Sequence, residues 1–246
     1  MINVHRLHLT DVTPAANLPW ARPTFQVFGY LVKHPGGPIV IDTGVGIGNA
    51  LIDKLYSPVH YDLDEALSRH GVNIKDVHTV ITSHLHFDHC GQNERFGGSR
   101  VLVQRAEIEA AKAPRYTVAE WAFPLNVDLT PIDGDHQVAD GIMIVSTPGH
   151  TPGHQSVLIT DGAGTRTIVC CQASWNTTSF EAGTLGDDGW NQDIGATSVQ
   201  KLRDLKPDRV VLSHDPDDWY PTTSPPLGTN PPSTAQFAPK GEEGRS

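Results

Sequence analysis

Three cysteines in 246 residues are too few, and odd in number, to build a disulfide framework. Cys170 and Cys171 are neighbours that would point to opposite faces of a strand, and Cys90 reads as a small buried residue. Positive charge is also scarce. Eighteen Lys and Arg against 28 Asp and Glu leave a formal charge of −10, and no basic cluster stands out. That balance excludes nucleic acid and anionic membrane as partners and fits a small neutral or modestly charged substrate. No apolar run is long enough to span a bilayer, and Met1-Ile2-Asn3-Val4-His5-Arg6 lacks the charged-then-apolar build of a secretion signal. Cytoplasmic residence is the resulting expectation. A hydrophobic content of 38% allows one large core, and one domain is expected over residues 1–220. From 221 to 246 the chain is rich in Pro, Thr, Ser and Gly with almost no apolar material, which predicts a flexible tail.

Within the domain, residues 4–9 read as an edge strand, 25–32 as a second strand and 39–41 as a third after the Pro35-Gly36-Gly37-Pro38 turn. Asp62 followed by Glu65 forms a capping-box pattern that starts a helix, and Gly71 stops it. Residues 77–83 read as a buried strand, 100–103 as a short one and 106–112 as a helix. Residues 118–123 fit either core or pocket wall through Trp121 and Phe123. Strands follow at 142–146, 155–160 and 167–171, then a helix at 196–205 with Val199, Leu202 and Leu205 on one face, and a last strand at 209–213. This order gives a mixed α/β (α+β) domain with sheets covered by helices.

What the chain has in abundance is histidine, 13 in all, and three of these crowd into His84-Leu85-His86-Phe87-Asp88-His89 at the end of an apolar run. In extended chain His84 and His86 project to the same side and can share one ion. Asp88 and His89 fall where the chain must turn, with Gly91 just beyond, so they can reach a second ion beside the first. From this composition such a string arises by chance in about one chain in a few hundred. Imidazole and carboxylate together suit zinc, iron, cobalt or manganese, and the lack of thiolates argues against an iron–sulfur cluster. Two further histidines stand at strand ends: His150 within Thr147-Pro148-Gly149-His150-Thr151-Pro152-Gly153-His154, and His214 in Ser213-His214-Asp215.

Together with Gly37 to Gly44 and Val103-Gln104-Arg105, these stretches resemble the metallo-β-lactamase superfamily and, within it, the N-acyl-homoserine lactonase branch. The resemblance covers most of the chain. It implies an αββα sandwich, with two facing sheets, helices outside and a metal site at one edge. It further implies that His84, His86 and His150 hold a first ion and Asp88, His89 and His214 a second. Zinc is the expected metal, as one or two ions, with iron, cobalt or manganese as the other candidates. Such a site would open a lactone or ester by attack of a metal-bound hydroxide, with Asp88 as proton donor to the leaving oxygen. Two other readings stay open: hydrolysis of another carbonyl substrate such as a thioester or β-lactam, and metal binding without turnover. His154 is expected beside the ligands rather than among them, and Asp42 in a supporting role.

The chain departs from the branch at two positions. Where the lactonases carry an Asp that bridges both metals, followed three residues later by a Tyr, this chain has Gln172-Ala173-Ser174-Trp175. A neutral amide leaves roughly one more positive charge in the site, which weakens the second cation, although the Gln172 oxygen can still coordinate. Trp175 keeps an aromatic wall and loses a hydroxyl. Trp175 and Trp20 are the expected substrate-wall residues. The oligomeric state is open.

Overall fold

The computed structural model describes residues 2–19, 21–187 and 189–221. Trp20, and the expected tail apart from Pro221, lie outside the described residues. Seven strands form one sheet in the order β4 (Val59–His60), β1 (Asn3–Val12), β2 (Phe25–Lys33), β3 (Ile39–Ile41), β5 (Thr79–Ile81), β6 (Arg100–Gln104) and β7 (Asp128–Ile132). Five form the other, ordered β12 (Arg209–Leu212), β11 (Arg166–Cys171), β10 (Gln155–Thr160), β9 (Ile142–Ser146) and β8 (His136–Ala139). The first sheet is antiparallel from β4 to β3 and parallel from β3 to β7. In the second, only β11 and β12 run parallel.

Period-2 side-chain alternation explains the layers. Ile39, Ile41, Ile81 and Leu102 turn inward and meet Ile144, Val157, Val169 and Val211 of the opposite sheet. Their neighbours Val40, Val80, Val101 and Val103 turn outward, beneath α1 (Ala50–Tyr56), α2 (Leu63–Ser68) and α5 (Ala119–Ala122). On the far side Ile168, Cys170, Val210 and Leu212 pack against α6 (Thr177–Ala182) and α7 (Gln192–Asp204) through Phe180, Val199 and Leu202. Every layer is therefore apolar on the side it shares, and the αββα sandwich follows. Cys170 and Cys171 do face opposite cores, and Cys90 is buried with its thiol directed at the Leu85 carbonyl.

Several sequence expectations are corrected. β1 is not an edge strand, because two-residue β4 pairs with it at Thr10–His60 and Asp11–Val59. Nothing in the pattern of β1 itself encodes so short and remote a partner. The buried run 77–83 forms a strand only over Thr79–Ile81, since its end unwinds toward the histidines. Asp62 caps α2 by accepting from Glu65 N at 2.8 Å, but Glu65 turns to Arg69 instead of completing the box. α7 begins at Gln192, earlier than expected, because Asn191 accepts from Ile194 N and starts the helix ahead of its apolar face. Trp121 belongs to the core.

One close crossing positions the motif. After β3, residues 44–46 run beside the end of α3 (Phe87–Cys90), and Gly91 N donates to Gly44 O at 2.9 Å. A Cβ on Gly91 would stand 1.9 Å from Gly46 N, and one on Gly46 would stand 2.3 Å from the Trp121 ring. Gly91 has an ordinary φ of −61°. Alanine would gain up to about 1 kcal/mol of local propensity there, and the overlap with main chain outweighs it.

Candidate metal centre

β5 ends at Ile81 and leads through residues 82–86, which bend at Ser83 and His86, into one short turn of helix, α3, which spreads the motif around a bend. His89 N and Cys90 N both donate to His86 O, which sets the turn. His150 arrives on the loop after β9, held where Thr147 N donates to His154 O and Gln155 N donates to Ser83 O, 2.9 Å each. His214 follows β12, with Ser213 N bonded to Cys171 O. The two sheets thus contribute side chains to one edge of the sandwich.

The structure brings His84, His86 and His150 into one group and Asp88, His89 and His214 into another, with the prospective ligand atoms of each group within 4.8 Å of one another. In the first, His86 Nδ1 lies 3.1 Å from His84 Nε2 and 3.1 Å from His150 Nε2. In the second, Asp88 Oδ2 lies 3.7 Å from both His89 Nε2 and His214 Nε2. Gln172 Oε1 completes the second group at 3.0 Å from His89 Nε2 and 3.2 Å from His214 Nε2.

On three of the rings the nitrogen that faces away from these groups is engaged. Ser83 Oγ gives its proton to Asp42 Oδ2 at 2.7 Å, so it accepts from His84 Nδ1 at 3.0 Å. His89 Nδ1 donates to Asp42 Oδ2 at 2.8 Å and His214 Nδ1 to Gln26 O at 2.9 Å. Each of these three rings is left with Nε2 turned inward, the arrangement that orients imidazole ligands on a cation. Asp42 does two jobs: it supports His89, and it fastens the segment after β5 to the end of β3 by accepting from Ser83 N at 2.7 Å.

Burial drives His84 well below the ordinary imidazole range, with neighbouring histidines adding to the effect, and takes His86 to about 3 and His214 to about 4. These rings are neutral at pH 7 and offer lone pairs. Burial also acts to lower His89, but the Asp88 and Asp42 carboxylates outweigh it and hold its proton up to about 9. Asp88 is lowered: desolvation opposes its charge, and His89 and His214 more than compensate. Asp88 and His89 would hold a cation where that proton now sits. The donor set fits metal ions at both positions.

His154 is buried, with Nδ1 2.9 Å from Thr147 Oγ1 and Nε2 accepting from Gln172 N at 3.2 Å, so both nitrogens are engaged outside the groups. Trp175 stacks on His214 at 4.4 Å and lines a cavity of about 260 Å³ above Asp88, His150 and Gln172. Pro14, Phe25, Tyr56 and Phe87 form the rest of its apolar wall. Arg22 closes one side, its guanidinium 3.9 Å from the Trp175 ring.

Sequence reasoning missed Arg22, Phe25, Tyr56, Glu107 and Asp187. Glu107, on α4 (Arg105–Ala110), is wholly buried and accepts from Leu85 N at 2.8 Å, Thr151 Oγ1 at 2.7 Å, Gly153 N at 3.1 Å and the Tyr116 hydroxyl at 2.5 Å. It ties the first histidine loop to the second. Glu107→Gln should cost about 1–3 kcal/mol of stability in urea unfolding, because one of these buried donors then meets an NH2. An unchanged midpoint would show that the clamp carries no weight.

A model of the metallo-beta-lactamase superfamily matches residues 22–214. An N-acyl homoserine lactonase of Bacillus sp. is 33% identical over 205 residues, which cover 77% of this chain and 81% of that protein. The lactonase AttM of Rhizobium radiobacter is 32% identical over 219 residues, covering 77% and 82%. Among solved structures, an AiiA variant of Bacillus thuringiensis with N-decanoyl-L-homoserine at its active site superposes with a TM-score of 0.71 at 27% identity, covering 87% of this chain and 93% of that one. Shared layers and sequence lead to one assignment: the chain belongs to the metallo-beta-lactamase superfamily and is a metal-dependent hydrolase.

Proposed function

We propose that the protein opens N-acyl-homoserine lactones or closely related esters at a zinc centre held by His84, His86, His150, Asp88, His89 and His214. The observation that carries this reading is the meeting of both ligand groups beneath one aromatic-walled cavity. Relatives named as lactonases support it. So does a structure of a similar lactone hydrolase with N-hexanoyl-L-homoserine bound at its catalytic metal centre. When bound, such ions supply a water deprotonated near neutral pH and a Lewis acid for the acyl carbonyl.

The chain's own residues do the rest. Phe25, Tyr56, Phe87 and Trp175 receive the apolar acyl chain and exclude water from the reacting ester. Asp88 lines the same cavity and is held as a carboxylate, so it can take a proton from the attacking water and hand it to the departing ring oxygen. The acyl carbon gains an oxygen, the ring C–O bond breaks, and the product is a hydroxy acid. Gln172 Oε1 takes the place that a bridging carboxylate has in the lactonase branch, without its charge.

A panel of short- and long-chain lactones, aryl esters, thioesters and a β-lactam tests the reading by mass spectrometry. The expected product is heavier by one water and keeps its acyl chain, which separates ring opening from amide cleavage. A protein that leaves every member unreacted at saturating zinc, cobalt and manganese does not have this activity.

A further inference from the structure

The segment between α6 and α7 carries a carboxylate that the six ligand positions do not account for. Asp187 is 4% exposed at its side chain, and its Oδ2 lies 3.0 Å from His150 Nδ1. The same oxygen accepts from Gln172 Nε2 at 2.8 Å. Its other oxygen, Oδ1, is buried and unpartnered among the described residues. His150 Nδ1, equally buried, makes no aligned hydrogen bond among the described residues, and the Asp187 carboxylate faces it as a close charge contact. The segment is fastened on both flanks. Trp175 N donates to Leu185 O at 2.6 Å, while Trp190 N and Asn191 N donate to the His150 and Gly149 carbonyls at 2.9 Å each. A Cβ on Gly189 would stand 2.8 Å from His150 Cα, so main chain lies directly against main chain.

An amide side chain has a donor end and an acceptor end, and a carboxylate accepts only. Asp187 therefore draws the NH2 of Gln172 toward itself and turns Oε1 toward His89 and His214. Turned the other way, the amide would present N–H groups to a cation. The same carboxylate, facing Nδ1 of His150, selects the tautomer that leaves Nε2 free beside His84 and His86. It also sets a negative charge one hydrogen bond away from a position whose own side chain is neutral.

We propose that Asp187 is a positioning residue that serves both ion positions at once, aiming Gln172 Oε1 at the second and His150 Nε2 at the first, and supplying the charge that Gln172 lacks. The inference rests on the six-ligand assignment above. It goes beyond that assignment by making the pair Gln172 and Asp187 one functional unit.

The test is a calorimetric titration of metal-depleted protein with Zn2+ alone, with near-UV circular dichroism as the control for folding. Asp187→Asn, which preserves shape, should weaken both binding steps about 10- to 100-fold. Gln172→Asp should tighten the second step on its own. In the Gln172→Asp background the two carboxylates repel, so Asp187→Asn should then leave the second step unchanged or tighten it, while the loss at the first step persists through His150. Equal losses in both backgrounds would mean that Asp187 only packs, and unchanged affinities in Asp187→Asn would likewise overturn the proposal. Asp187→Ser, read in the same way, serves if the asparagine variant does not fold. A wild-type protein that takes up no zinc overturns the six-ligand assignment and this inference together. One that takes up two ions while Asp187→Asn matches it overturns this inference alone.

Discussion

Replacing His84 and His86 together by alanine is expected to abolish tight metal uptake at the first position and to lower hydrolysis by about 10³-fold or more. The magnitude follows from removing a Lewis acid and water activator worth several kcal/mol, at 1.36 kcal/mol per decade of rate. His84 is wholly buried and His86 faces both it and His150 at 3.1 Å, so the double variant removes two of three converging donors. Elemental analysis after mild preparation without chelator should show the wild type carrying at least about one equivalent of metal, as a three-imidazole site in a hydrolase does. The second ion should be the weaker, because Gln172 contributes no charge. A double variant with undiminished metal content would remove these residues from the ligand set. Near-UV circular dichroism separates loss of metal from loss of fold, since the rings sit at the edge of the sandwich and not between its layers.

Asp88→Asn should lower activity per bound ion by about 10²-fold or more on substrates with poor leaving groups such as lactones, and far less on nitrophenyl esters. Asp88 has two jobs to disentangle: its Oδ2 faces His89 and His214 at 3.7 Å, and it also lines the cavity. An aspartate that only held metal would lose activity in proportion to metal, whatever the leaving group. One that also moves a proton shows a deficit that grows as the leaving oxygen becomes more basic. Rates normalised to metal content across a series of esters distinguish the two, and a flat series removes Asp88 from proton transfer.

The residues differ in how far the sequence alone could place them. His84, His86, Asp88 and His89 share one local motif, so chain geometry suffices to group them. His150 and His214 announce themselves as histidines at strand ends, but their convergence on the motif came only with the family resemblance, because no local rule specifies which strand ends meet. The sandwich was hidden for a related reason. β3, β5 and β11 are apolar on both faces, so their period-2 pattern shows no polar side and does not say which residues face the other sheet. β4 and the edge strands β7 and β8 were missed because short, half-polar strands draw their order from neighbours. Glu107 and Asp187 were illegible for a different cause. An acidic residue on a helix or in a glycine-flanked loop looks like solvated surface, and only the donors gathered around it show otherwise.

The contact between Gly91 and residues 44–46 bears on grafting. The hexapeptide from His84 to His89 looks portable, since it carries four candidate ligands in six residues. Its bend, however, closes against main chain more than 40 positions upstream, at a separation that admits no Cβ at Gly46 or Gly91. A protein engineer who moved the histidines to another strand end would transplant the donors without their socket. The smallest transferable unit of this centre is the motif together with the glycine-bearing turn after β3.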